Sequence, residues 1–189
     1  FAFKMGLPFG YSRCSRGKPP TCSQWFSDVN ATAAKPGGLA ASFAHYLPVV
    51  GDAVQSGAVR TLANDDNTDF YTVPLKQETL RPGTIYADPY GHVLMLVRRV
   101  PQKDGAAGVF LAVDAEPDGS VTRKRFWRGN FLFVHDPRLG SPDFKRFRPI
   151  ERSENGTLRR LTNAEIAKNP QYGDFSLKQS KLGLENFYD

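Results

Sequence analysis

The sequence predicts an α+β protein in which an N-terminal helix packs on a central antiparallel β-sheet and a helical tail follows. Three observations support this prediction. A helix-start pattern lies at Thr21–Gln24, short apolar segments alternate with Gly and Pro turns between residues 70 and 148, and two further helix-start patterns follow residue 160. We expect one domain over residues 1–150, and a linker and helical tail over residues 151–189 that pack on the same domain.

The composition is that of a globular chain. It has 189 residues, of which 40% are hydrophobic and 23% are charged, and this excludes wholesale disorder. The longest apolar run, Val93–Val97, has the length of a strand, so we expect no membrane span. Phe1 as the first residue indicates either that a targeting segment has been removed or that the sequence is an excised piece of a longer chain.

The formal net charge of +6 narrows the classes of partner. Basic residues cluster in several places, but no recognised nucleic-acid motif accompanies them, and we expect no nucleic-acid partner. An anionic polymer such as a cell-wall polysaccharide fits the charge. His45, His92 and His135 are far apart and no CxxC or HxxxH pattern occurs, so we expect no metal site and no cofactor.

The first predicted helix begins at Cys22. Thr21 is a good N-cap, Gln24 completes a capping box, and the helix is expected to run to about Ala34. A cysteine in the first helical turn lies at the positive end of the helix dipole, where a thiolate is stabilised. An equally weighted alternative is a disulfide between Cys22 and Cys14, or an inert buried thiol.

The elements after this helix follow from periodicity and turn residues. Leu39–Tyr46 predicts a short helix that ends near Pro48, and Asn64–Asp69 a solvated loop. The segment from His92 to Val100 is apolar on both faces, as is typical of a central strand. Strands are predicted at residues 71–75, 84–87, 92–100, 109–114, 121–128, 130–134 and 144–148.

The tail is predicted from its capping patterns. Residues 151–156 have the composition of a linker. Thr162-x-x-Glu165 predicts the start of one helix and Ser176-x-x-Gln179 the start of another, which continues to Tyr188.

His92 and Asp114 are predicted to lie side by side at one end of the sheet. If residues 92–100 and 109–114 form a hairpin, His92 pairs with Asp114, Leu94 with Ala112 and Leu96 with Phe110. A thiolate, an imidazole and a group that orients the imidazole make up a cysteine hydrolase triad. Cys22, His92 and Asp114 supply these three groups. Asp88 is a competing partner for His92, and His92 and Asp114 are also typical turn residues.

The residues around these positions resemble a known family. Thr21-Cys22-Ser23, the segment from Leu80 to Ala87 and the segment from Gly91 to Val97 are similar to the NlpC/P60 cysteine peptidases, which have a papain-like fold. The resemblance implies that Cys22 is the nucleophile, His92 the base and Asp114 the third polar residue. It also implies cleavage of amide bonds in bacterial cell-wall peptides.

The expected mechanism assigns further residues. The backbone N–H of Cys22, together with Gln24 or Ser23, would stabilise the oxyanion, and Tyr90 and Trp127 would line the cleft. The partner is then a peptide or cell-wall substrate, and the chain is expected to be secreted or periplasmic. Two alternatives remain open: a non-catalytic binding module on the same fold with a Cys14–Cys22 disulfide, and an acyltransferase that uses the same triad.

Overall fold

The computed structural model describes residues 2–16, 19–27, 37–89, 91–101, 108–126 and 137–179. Within these ranges the predicted α+β class is confirmed, because the chain combines a mostly antiparallel sheet with a few helices. The helices are α1 (Ala2–Met5), α2 (Gly38–Ala53) and α3 (Asn163–Lys168), with 3₁₀ turns at Ser56–Arg60 and Pro137–Leu139. The strands are β1 (Gly10–Cys14), β2 (Cys22–Ser27), β3 (Phe70–Thr72), β4 (Ile85–Ala87), β5 (Val93–Val100), β6 (Val109–Ala115), β7 (Val121–Phe126), β8 (Phe144–Phe147), β9 (Ile150–Arg152) and β10 (Leu158–Arg160).

Six strands form the main sheet, in the spatial order β3-β8-β4-β5-β6-β7. Strand β5 therefore lies inside the sheet, as its apolar sequence predicts. The expected strand at residues 130–134 lies outside the described residues.

The register between β5 and β6 differs from the predicted one by two residues. Leu94 lies opposite Asp114 and Leu96 opposite Ala112, and a bulge between Leu96 and Arg98 places an extra residue opposite Leu111. A shift of one residue would turn every side chain to the other face of the sheet, whereas a shift of two leaves each on its own face. The predicted core face is therefore kept although the predicted pairs are wrong.

Hydrophobic side chains cover both faces of the sheet centre. The larger cluster lies on the face covered by α3 and the segment before it, and the smaller one lies under the 3₁₀ turn at Ser56–Arg60. The larger cluster contains Tyr71, Val73, Tyr86, Leu94, Leu96, Ala112, Phe144, Leu161 and Ile166. The smaller cluster contains Val59, Ile85 and Ala87.

Residues 151–179 pack on the main sheet, because Leu161 and Ile166 belong to its larger hydrophobic cluster. Glu151–Gly156, predicted to be a linker, contributes instead to a hairpin of β9 and β10. The helix predicted from Thr162 is confirmed as α3, with the full capping box between Thr162 and Glu165. Residues 176–178 are not helical, and the buried Gln179 amide binds the backbone of Phe144, accepting from its N–H and donating to its carbonyl. Residues 180–188 of that predicted helix lie outside the described residues.

The β1–β2 hairpin is held to the main body by a small polar network. The N–H and hydroxyl of Ser12 donate to the Asp69 carboxylate at 2.6 and 2.7 Å, and the Arg160 guanidinium donates to both Ser12 and Asp69. The guanidinium also lies over the Trp25 ring, 5.2 Å from its centroid. The loop at residues 64–69, expected to be merely solvated, is thus an anchor.

Helix α2 continues past the proline that was expected to end it. Pro48 lies inside the helix, which reaches Ala53. Packing offsets the missing backbone hydrogen bond, because Tyr46 stacks on Phe3 at 5.6 Å and meets Phe9 edge-on at 5.3 Å. None of the described helices combines the length and apolar character needed to cross a bilayer.

A buried ion pair joins the sheet to the 3₁₀ turn beneath it. The Lys145 ammonium donates to the carbonyls of Val59 and Thr61 at 2.8 and 2.6 Å and lies 3.4 Å from Asp143. Thr72 donates to the other carboxylate oxygen of Asp143. Loss of water is the largest influence on both groups, raising the pKa of Asp143 to about 6 and lowering that of Lys145.

We expect the ionisation of Asp143 to lower stability as the pH rises. The folded pKa of about 6 exceeds the value of about 4 for an unfolded chain, so the folded state binds more protons between these limits. Its contribution to the free energy of unfolding therefore falls through this window, by at most about 3 kcal/mol. Asp143→Asn lacks the titrating carboxyl, so urea unfolding should show the variant gaining stability relative to the wild type from about pH 4 to about pH 7.

Asp52→Asn, at an exposed position of α2, is the matched control. Its pH profile should run parallel to that of the wild type. Parallel profiles for Asp143→Asn as well would contradict the assignment.

Candidate functional site

Cys22 is not at a helix start, and its sulfur carries no thiol. The residue begins strand β2 and is bonded to Cys14 in a disulfide. The apparent capping box is not formed, because the N–H of Thr21 donates to the Ser15 hydroxyl and its carbonyl accepts from the Ser15 N–H. Pairing with β1 holds the segment in strand conformation, and the Phe26 ring stacks on the Tyr11 ring with 5.3 Å between their centroids. The prediction of Cys22 as a helix-tip nucleophile is therefore wrong.

The residues expected to assist Cys22 share its strand or lie outside the described residues. Ser23 and Gln24 are exposed on β2, and Gln24 lies opposite Arg13. Neither follows a helix-tip thiolate, so the oxyanion role predicted for them loses its basis. Tyr90 and Trp127, predicted to line the cleft, are outside the described residues.

His92 and Asp114 are brought together, as the sequence predicts. The imidazole Nδ1 lies 3.4 Å from Oδ2 of Asp114. The carboxylate is buried, with 3% of its side chain exposed, whereas 60% of the His92 side chain is exposed. Because the two-residue register shift keeps both side chains on one face, Asp114 is a diagonal neighbour of His92 instead of its direct partner.

A third group completes this cluster. Lys124, on β7, donates from Nζ to Oδ2 of Asp114 at 2.7 Å, and this hydrogen bond raises the pKa of the lysine. The carboxylate is thus shared between a lysine and an exposed imidazole. Such a pair can position a histidine for proton transfer. Across the described part of the chain, no group of three or more His, Cys, Asp and Glu side chains is placed to hold a metal ion.

The opposite face of the same three strands is open. Alternation along β5, β6 and β7 places Met95, Val97, Leu111, Val113 and Val121 on this face. Met95, Val97 and Val121 are 37%, 44% and 64% exposed, and the other two are half-buried. Among the described residues, the cluster that includes Val59 and Phe70 contains Ile85, Ala87 and Val93 and none of these five. An apolar surface therefore remains over the last three strands.

Three arginines lie on this open face. Arg98 and Arg125 are both registered with Leu111, and Arg123 with Val113. Two strand spacings separate Arg98 from Arg125, about 9–10 Å between Cα atoms, and about 7 Å separates Arg123 from Arg125 along the strand. All three are exposed, and among the described residues none forms an ion pair. We call this surface, formed by the five apolar residues and these arginines, the cationic sheet face.

The sequence carried a signal for this surface. The basic clusters at residues 98–99 and 123–128 are visible in it, but only the strand register shows which members share a face.

Comparisons of the chain with protein-family models, with curated proteins and with solved structures found no match.

The disulfide can be tested by labelling. The chain has two cysteines, and the structure joins them. We expect iodoacetamide to label neither cysteine in the unfolded, unreduced protein, and both after reduction. Intact-mass spectrometry measures the number of labels, and labelling of Cys22 before reduction would restore the thiolate hypothesis.

Proposed function

We propose that this chain is a non-catalytic binding module for an anionic polysaccharide, such as a charged polymer of a cell wall, and that the cationic sheet face is its binding surface. The observation that supports this most is the grouping of Arg98, Arg123 and Arg125 around exposed aliphatic side chains. The register positions on this face of β5–β7 include no carboxylate.

The chemistry of the face fits a charged, extended ligand. Guanidinium groups form bidentate hydrogen bonds to carboxylate, sulfate and phosphate groups, and they remain charged at any physiological pH. The arginines are spaced both across the strands and along β7, so one polymer chain can contact several guanidinium groups at once. Met95 and Val97 offer apolar contact to the C–H surfaces of the sugar rings between the charged groups.

The disulfide supports binding over thiol chemistry. A cysteine hydrolase needs a thiolate, and an acyltransferase with the same triad needs it equally. Both cysteines of the chain are used in the Cys14–Cys22 bond. A structural disulfide is also typical of proteins in an oxidising compartment, in keeping with secretion or the periplasm.

The papain-like assignment is part of this proposal. It is supported by a histidine at the mouth of an inner strand and a carboxylate on the next strand. The helix that should present the nucleophile is replaced by β2 at Cys22. We therefore propose a binding module that retains the histidine and the carboxylate of such a site without its thiol.

Removal of charge from the sheet face tests the binding surface. We expect the wild-type chain to be retained on immobilised heparin, used as a sulfated polysaccharide probe, and not on neutral dextran, with affinity falling as salt rises. Arg123→Gln combined with Arg125→Gln should weaken binding about tenfold. Isothermal titration with soluble heparin measures the change.

A matched control separates surface from net charge. Lys4→Gln combined with Lys168→Gln removes the same charge at two exposed positions elsewhere, and should change the affinity by less than about twofold. Equal losses in the two double variants would overturn the assignment of the face. Tighter binding of duplex DNA than of heparin at equal salt would overturn the ligand class.

A second candidate function follows from the His92–Asp114 pair. An exposed imidazole oriented by a buried carboxylate can act as a general base on water, and so hydrolyse amide bonds of cell-wall peptides without a thiol. This candidate keeps the substrate class expected from the sequence and replaces Cys22 by water.

This candidate predicts release of new amine ends from purified peptidoglycan. His92→Ala should lower the rate by about a hundredfold or more. The double variant Cys14→Ser, Cys22→Ser should keep the rate within about threefold, once circular dichroism shows it is folded. Absence of release by the wild-type chain would remove this candidate and leave binding alone.

A further inference from the structure

Helix α2 lacks the charged outer face that surface helices usually carry. From Gly38 to Gly51 it contains no Asp, Glu, Lys or Arg. A helix that is apolar all round is normally buried, either in a protein core or against lipid. Helix α2 lies at the surface instead, and Leu47 in its third turn is 51% exposed. Its outer side therefore lacks the apolar cover that its sequence calls for.

The inner side of α2 packs on the N-terminal segment and the first hairpin. The Tyr46 ring stacks on Phe3 with 5.6 Å between centroids, and it lies edge-on to Tyr11 at 6.3 Å. Ser42 and Ala53 share this side of the helix by their spacing, and both are buried. These contacts fix the rotation of α2 about its axis, so its outer side is defined.

The outer side is a continuous apolar strip. At about 3.6 residues per turn, the residues that face away from Tyr46 are all exposed and uncharged, namely Ala40, Ala44, Leu47, Pro48 and Gly51. Phe43 borders the strip and stays 39% exposed, although its ring contacts Phe3 at 5.2 Å.

The N-terminal segment enlarges this apolar strip. Phe3 belongs to α1 and touches Phe43, so the residues that follow Phe3 lie beside α2. Met5 and Leu7 are exposed apolar side chains in this segment. We call the surface formed by Met5, Leu7, Phe43, Leu47 and Pro48 the apolar ridge. It shares no residue with the cationic sheet face.

Positive charges flank the apolar ridge at both ends. Lys4 is exposed in α1. Arg13 and Arg16 line a cavity of about 370 Å³ next to the last turn of α2, together with Asp52 and the exposed Val54. Among the described residues, none of the three cations forms an ion pair. Three cations against one carboxylate give the rim of the ridge a net positive charge.

We propose that the apolar ridge binds the surface of an anionic lipid membrane, with α2 parallel to the bilayer plane. Phe43 and Leu47 then lie among the acyl chains just below the headgroups, and the flanking cations lie at the level of the lipid phosphates. Helices bind at this depth through buried apolar area together with attraction between basic side chains and anionic lipid.

The shape of the ridge favours lipid over a protein partner. The outer side of a single helix is convex, and a protein partner would need a matching groove, as in helix-in-groove recognition. A fluid lipid surface adapts to a convex ridge, and it supplies apolar contact and negative charge at the two depths where the ridge and its cations lie. The inference stands independently of polysaccharide binding.

Co-sedimentation of the full chain with vesicles tests the proposal. We expect binding to an about two-to-one mixture of phosphatidylcholine and phosphatidylglycerol to be at least about tenfold tighter than to phosphatidylcholine alone, and to weaken as salt rises. Leu47→Gln should weaken binding about tenfold, because it removes an aliphatic side chain from the acyl region. Val121→Gln, at an exposed aliphatic residue of the sheet face, is the matched control and should change it less than about twofold.

Fluorescence reports the depth of the ridge directly. Relative to the wild type, Leu47→Trp should show blue-shifted emission on the mixed vesicles and quenching by lipids with brominated acyl chains, whereas Val121→Trp should show neither. Urea unfolding checks that each variant is folded. Heparin binding by Leu47→Gln should stay within about twofold of the wild type, so failure of the ridge and failure of the sheet face are distinguishable.

Three outcomes would overturn the proposal. The first is no binding of the wild-type chain to the mixed vesicles, and the second is an equal loss in Leu47→Gln and Val121→Gln. The third is loss of vesicle binding in the Arg123→Gln, Arg125→Gln double variant with Leu47→Gln unaffected, which would assign the lipid contact to the cationic sheet face.

Discussion

The covalent bond between Cys14 and Cys22 is the constraint that fixes how this chain folds at its N-terminal end and what it can do there. It joins the two strands of the first hairpin next to their connecting loop, where Cys14 lies opposite Cys22 and both belong to strands. It also uses both cysteines that the chain has. In an entropic description, closing a loop of this size stabilises the folded state by about 2–3 kcal/mol. The same bond therefore removes a nucleophile and ties β1 to β2.

The β1–β2 hairpin is attached to the main sheet by polar and charged contacts instead of by apolar packing. Asp69 accepts from Ser12 and Arg160 at once, and the flat guanidinium of Arg160 also covers the Trp25 ring. Arg148 acts similarly in the protein interior. It donates hydrogen bonds to the carbonyls of Asp65, Thr68, Phe70 and Leu161. Removing one member of such a network leaves buried donors or acceptors unpaired, which costs about 1–3 kcal/mol for each group. The loop at residues 64–69 is held in place because Arg148 and Arg160 both donate hydrogen bonds to it.

Local signals in the sequence predicted most of the sheet, and long-range contacts decided what they missed. The alternation in β5–β7 and the capping box at Thr162 are properties of neighbouring residues, and both can be read without a structure. Thr21-x-x-Gln24 has the same form as a capping box, but pairing with β1 and the disulfide outweighed it. His92 and Asp114 were found because an even register shift preserves faces. The buried Asp143–Lys145 pair gave no signal, since charged residues at alternate positions usually indicate a solvated face.

The arginines of β5 and β7 call for different explanations. Strand β7 is an edge of the sheet, and charged side chains on an edge strand prevent it from pairing with other chains. That reason alone would account for Arg123 and Arg125. Arg98 differs in that it lies opposite Leu111 of β6, next to a bulge, and beyond Met95, where the pairing of β5 with β4 ends. The bulge turns Arg98 to the face where Arg125 lies, beside exposed Met95 and Val97. The grouping of arginines from two different strands on one face is thus what favours the proposed binding surface over charges that only protect an edge.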